Sequence, residues 1–86
     1  MTKIIIYTTQ LCPYCVRAKM LLQKKGLVFE EIKVADDKIR EEMVKKSNGR
    51  MSVPQIFIGE KHIGGCDDLY ALEAAGKLDE LLDTVS

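Results

Sequence analysis

Residues 3–8, KIIIYT, are β-branched and aromatic with hardly a polar break, which predicts a strand covered on both faces. From Pro13 the period lengthens. Tyr14, Ala18, Leu21 and Leu22 recur at i, i+4, i+7 and i+8, predicting one apolar face of a helix over 13–25. Pro13 suits the first helical position and Gly26 the stop. Residues 27–34, LVFEEIKV, predict a second strand, and the helix between the two makes a crossover that pairs them in parallel.

The second half repeats these signals in shorter units. Asp36 or Asp37 caps a polar helix running to about Ser47, with Ile39 and Met43 facing inward, and Asn48-Gly49-Arg50 ends it. QIFI and KHI are short strands joined at Gly59-Glu60, a two-residue hairpin loop with positive φ at its glycine. After Gly64-Gly65, CDDLYALEAA reads as a helix with Asp67 and Asp68 in its first turn, stopped by Gly76. Leu78, Leu81, Leu82 and Val85 then mark a final amphipathic helix. The order β-α-β-α-β-β-α-α predicts an α/β fold: a four-stranded mixed sheet with helices on both faces.

The chain has 86 residues, which sets the expectation of one domain over 1–86. Thirteen basic and thirteen acidic residues cancel, so no global field draws in a polyanion and nucleic acid is not expected as a partner. MTKIIIYTT is too short for a signal-peptide core or a spanning helix. The expectation is a cytoplasmic, monomeric protein without membrane contact. Three cysteines, an odd number, argue against a disulfide framework. In that compartment a close pair points to catalysis or metal binding.

That pair is Cys12 and Cys15 in TTQLCPYCVRAKMLL. Cys12 ends the loop after the first strand and Cys15 lies in the first helical turn. Unpaired N–H groups and the helix dipole both favour an anion there, hence a Cys12 thiolate. The thiolate is the attacking species in thiol–disulfide exchange. Cys15, one turn on, is within reach to close a disulfide. It is expected to be the more buried and less acidic of the two, resolving rather than attacking. Two other readings exist. Both thiols can be small buried hydrophobes, or His62 and Cys66 can join them as four zinc ligands. Strand–Cys-X-X-Cys–helix context opposes the first. Against the second stand the distance of the His62/Cys66 pair along the chain, the alternating faces of a strand, and the stiffness of Pro13. No metal site is expected.

CPYC together with SVPQIFI and HIGGCDDLYAL resembles the dithiol glutaredoxins, in order and spacing and over nearly the whole chain. The resemblance implies a thioredoxin-like fold and glutathione-dependent reduction of disulfides, with Cys12 as nucleophile and Cys15 as resolving cysteine. It implies glutathione as co-substrate, and glutathionylated or disulfide-containing proteins as partners. Ribonucleotide reductase is one family-level partner that no residue here demonstrates. It further implies a glutathione site of Tyr14, Ser52, Val53, Pro54, Gly65, Cys66 and Asp67. In that site Pro54 is cis, and Val53 pairs with the extended cysteine of glutathione. The N–H groups of Cys66 and Asp67 receive the γ-glutamyl carboxylate, and the Asp67 side chain meets the amino group. Taken alone, Asp67 reads as a helix cap, Cys66 as a packed free thiol, and Tyr14 as either a groove wall or part of the apolar helix face.

One position departs from the pattern. Many dithiol glutaredoxins carry a lysine three residues before the nucleophile, and here stands Thr9. Arg17 and Arg50 are the candidates to replace its charge; alone, each reads as a solvated arginine. Two rival functions share the pair: a thioredoxin-like carrier reduced by a flavin reductase, and an iron–sulfur cluster carrier. The first has no need of the Gly-Gly-Cys-Asp element. The second tends to replace Pro13 or Cys15 with glycine or serine.

Overall fold

A computed structural model describes residues 3–85, with side chains through residue 82. The elements run β1 (Ile4–Thr8), α1 (Pro13–Lys24), β2 (Glu30–Lys33), α2 (Asp37–Lys46), β3 (Gln55–Ile58), β4 (Lys61–Gly64), α3 (Cys66–Ala74) and α4 (Lys77–Val85). The sheet order is β2-β1-β3-β4. β1 runs parallel to β2 and antiparallel to β3, and β3 and β4 form the antiparallel hairpin. This is the expected order and the expected mixed sheet. Gly59 has φ +62 at the hairpin turn, as its loop requires.

Alternation along the strands divides the core in two. Ile4, Ile6, Ile56 and Ile58 face α1, α3 and α4, where Ala18, Leu21, Leu22, Cys66, Leu69 and Leu78 are buried with them. Tyr7 and Phe57 face the other way and pack on Met43 of α2. Their rings meet edge to face, 5.8 Å apart. β1 is therefore covered on both sides, which explains its nearly continuous apolar character. The side chain of Val85, assigned to the apolar face of α4, lies outside the described residues.

The predicted second strand is too long at its start. The N–H of Leu27 bonds the Leu22 carbonyl (3.0 Å) and that of Gly26 the Gln23 carbonyl (2.9 Å), the paired closure of a helix end. The chain must leave this closure before it can join the ladder. Val28 is exposed, and pairing begins at Glu30.

Candidate active site

Three chain segments converge at one end of the sheet. The first is the turn from β1 into α1. Leu11 adopts φ +54 and is fully exposed, a conformation that costs a non-glycine residue about 1–2 kcal/mol. The turn delivers Cys12 to the N-cap of α1, with Pro13 at the first helical position. Cys12 Sγ accepts the N–H of Cys15 at 3.2 Å and faces the Val53 carbonyl at 3.9 Å. A sulfur thus occupies the place of an ordinary capping oxygen. Cys15 is 2 % exposed. Burial pushes its thiol up to about 12, and its hydrogen bond with Cys12 adds to this, while the Thr9 backbone and the Lys19 charge pull the other way. All three cysteines are free thiols.

The second segment follows α2. Asn48 and Gly49 both have positive φ and turn the chain back, and the Val53–Pro54 peptide is cis, as the resemblance implied. Gln55, wholly buried, holds this segment from behind. Its amide donates to the Ser52 carbonyl (2.9 Å) and hydroxyl (3.3 Å), and its Oε1 accepts from His62 Nε2 (2.7 Å). Burial and the nearby Arg50 hold the His62 pKa below its ordinary value, in keeping with a neutral ring in this role.

The third segment enters α3. Gly64 has φ +118, and a Cβ there would run into the Asp68 carboxylate and stand 2.7 Å from Arg50 Nη1. Asp68 Oδ2 accepts from the Gly65 N–H (2.9 Å) and from Arg50 (3.0 Å). These two bonds hold its carboxyl below the usual range, the backbone bond being the larger cause. Asp68, not Asp67, thus closes the helix start. Asp67 is exposed beside the cavity, so its reading as a plain cap is overturned. The spacing of Gly65 and Asp68, N-cap and third helical residue, is the signal that distinguishes them.

All seven residues assigned to glutathione line one cavity of about 150 Å³ between the second and third segments, together with Arg50 and Asp68. Tyr14 is among them and 54 % exposed. It is a wall of that cavity and does not join Ala18, Leu21 and Leu22 in the core. Cys66 has its side chain in the core while its residue borders the cavity. Arg50 belongs to this site. Arg17 does not, as it lies 5.7 Å over the Tyr70 ring and its carbonyl accepts from the Tyr70 hydroxyl. The four-ligand alternative fails on geometry: His62 stacks on Phe57 and bonds Gln55, whereas Cys66 packs in the cluster on the opposite sheet face. A larger cleft, about 720 Å³, lies between β4 and the last two helices and is lined by no cysteine. Size alone does not locate the chemistry.

Residues 4–63 match the glutaredoxin family. The chain belongs to that family. It is 60 % identical over 84 residues to a glutaredoxin of Pseudomonas aeruginosa, covering 95 % of this chain and 98 % of the relative. It is 58 % identical over 83 residues to glutaredoxin 3 of Escherichia coli, covering 95 % and 99 %. The solution structure of a glutaredoxin from Brucella melitensis superposes with a TM-score of 0.87 at 56 % identity, covering 100 % of this chain and 94 % of that one. The fold is the thioredoxin-like one of the glutaredoxins, and the function is thiol–disulfide oxidoreduction. No helix among the described residues is long and apolar enough to cross a membrane.

Proposed function

We propose that this glutaredoxin reduces protein disulfides and glutathione–protein mixed disulfides at the expense of glutathione, with Cys12 as nucleophile and Cys15 as resolving thiol. One observation carries the reading. The sulfur of the partly buried Cys12 caps a helix within reach of the Val53 carbonyl, beside the cavity that gathers the seven candidate residues. A buckwheat glutaredoxin solved as a glutathione complex lends support. It is 30 % identical, with a TM-score of 0.86 over 98 % of this chain and 79 % of that one.

In this reading the Cys12 thiolate attacks the glutathione sulfur of a glutathionylated protein. The old S–S bond breaks and its electron pair leaves with the protein sulfur, which takes up a proton. A second glutathione thiolate attacks the mixed disulfide, frees Cys12 and departs as glutathione disulfide. With a protein disulfide, Cys12 joins one target sulfur and Cys15 expels it, leaving Cys12–Cys15 for glutathione to reduce. Val53, before Pro54, offers its backbone to the cysteine of glutathione as a short added strand. Ser52 and Tyr14 border that strand. The N–H groups of Cys66 and Asp67, after Gly65, receive the γ-glutamyl carboxylate, and Asp67 meets the amino group. Arg50 supplies the cation that Thr9 cannot. The 86 residues act as one domain of a monomer, in a reducing compartment such as the cytoplasm.

Turnover with a glutathionylated peptide tests this. Cys12→Ser loses activity by at least about a thousandfold, since a hydroxyl is a far weaker nucleophile at neutral pH. Its melting temperature stays close to that of the unsubstituted protein, because serine also caps helices. Cys15→Ser keeps deglutathionylation and loses reduction of protein disulfides. Undiminished turnover by Cys12→Ser would overturn the assignment.

A further inference from the structure

The glutathione cavity leaves the other flank of the cysteine pair unexplained. A second cavity opens there, lined by Thr9, Cys12, Cys15, Val16, Lys19 and Lys33. Lys19 follows Cys15 by four residues, so both side chains leave the same face of α1. Its ammonium is tied down. Lys19 Nζ donates to Glu31 Oε2 at 2.9 Å, and the same oxygen accepts from the wholly buried Thr8 hydroxyl at 2.6 Å. Lys33 Nζ stands 3.3 Å from that oxygen. The side chains of Lys19 and Glu31 keep only 25 % and 24 % of their exposure. Surface lysines seldom hold one position, and the partner of this one, Glu31, is itself held by Thr8 of β1 and Lys33 of β2.

Cys15 is the group that needs such a charge. It must become an anionic nucleophile from a buried position, and burial opposes that. Cys12 and the Thr9 backbone face it from its own segment, and Lys33 and Glu31 stand beyond Lys19 on β2. On the α3 side are Cys66 and Asp67, with Arg17 acting on Cys66. Lys19 is the cation that favours a Cys15 thiolate. We propose that Lys19, pinned by Glu31, which Thr8 in turn holds, is a positioning residue for the resolving step, steadying the charge on Cys15 as it attacks. This rests on Cys15 being the resolving thiol. In the step, Cys15 loses its proton and its sulfur bonds Cys12 Sγ. The bond from Cys12 to the target breaks, and the target sulfur leaves with the electron pair and takes a proton. The cysteine pair is oxidised and the target reduced.

Stopped-flow mixing of the reduced protein with dithiobis(nitrobenzoate) separates the two steps. Attack by Cys12 releases one coloured thiolate at a rate that depends on reagent concentration. Closure by Cys15 releases the second at a rate that does not. Lys19→Met slows closure about tenfold at neutral pH and moves its pH profile upward by about one unit, as expected when the thiolate fraction falls. Lys19→Arg stays within about threefold of the unsubstituted rate. Lys19→Gln, which can still bond Glu31, behaves like Lys19→Met and serves if the latter does not fold. Closure profiles of Lys19→Met or Lys19→Gln that superimpose on the unsubstituted one at every pH overturn the role of Lys19 alone. Loss of the second phase in the unsubstituted protein overturns the assignment of Cys15 and this inference with it.

Discussion

Two helix starts meet at the active site and are closed in different ways. At α1 the cap is Cys12 Sγ, which accepts the Cys15 N–H, and the first turn, Pro13-Tyr14-Cys15, holds no carboxylate. At α3 the N-cap is Gly65, without a side chain. The carboxylate of Asp68 reaches back to its N–H and is held from the far side by Arg50. Both ends offer unpaired N–H groups and a positive dipole. At α1 that field acts on the sulfur that caps it, undiluted by neighbouring acids. At α3 one acid is already engaged with Gly65 and Arg50, and the next residues, Cys66 and Asp67, border the cavity. One physical feature, a helix start, thus borders both the Cys12 sulfur and the cavity proposed to take glutathione.

The flanking supports follow the same division. Near α1, Glu31 holds Lys19; near α3, Asp68 holds Arg50. The contrast breaks most readily at Gly64. Gly64→Ala places a Cβ where the Asp68 carboxylate and Arg50 stand, in a backbone region costly for alanine. The expected loss is about 2–4 kcal/mol of folding stability, read by urea unfolding, with a raised KM for glutathione. A KM unchanged in the folded fraction would separate this turn from the binding site.

A smaller effect is expected at Glu31, whose carboxyl is held down at about 2, first by Thr8 and then by Lys19. A carboxyl lowered on folding stabilises the fold fully above its ordinary value near 4.5, and that contribution fades as pH falls toward 2. Glu31→Gln therefore destabilises at pH 6, by up to roughly 3 kcal/mol, and the gap from the unsubstituted protein narrows between pH 4.5 and 2. A gap of constant size across that window in urea titrations would show that shape, not charge, carries the contribution.

The smallest effect is expected at Asp68, about half exposed. Its carboxyl is also lowered, so its contribution likewise fades on the acid side. Asp68→Asn costs about 1 kcal/mol or less, since asparagine still caps and the Arg50 pair is screened by water. Thermal melts at pH 7 and pH 3 read it. Equal acid sensitivity of Glu31→Gln and Asp68→Asn would erase the difference between the two supports.

Much of this was legible in the chain. The β-branched run of β1, the helical spacing of Ala18, Leu21 and Leu22, and the Asp36 cap each express contacts within a few residues, and all recur in the fold. Tyr14 shares the helical spacing but not the burial, because periodicity assigns a side to a helix without saying where its partner surface ends. Gln55 gives no sign of its clamp on Ser52, since a buried glutamine in a strand reads like an exposed one. Lys19 looks like a surface charge until β2 is laid beside α1.

By itself the sequence determined the elements, their order, and the presence of a cysteine pair at a helix start. Those depend on local dihedral preference, period and capping, which act over one or two turns. Only the tertiary structure decided that Arg50 pairs with Asp68 at the start of α3, that Glu31 ties down Lys19, and that Tyr14 walls the cavity. Each of those depends on residues far apart in the chain meeting across the sheet, and burial and pairing are properties of that meeting.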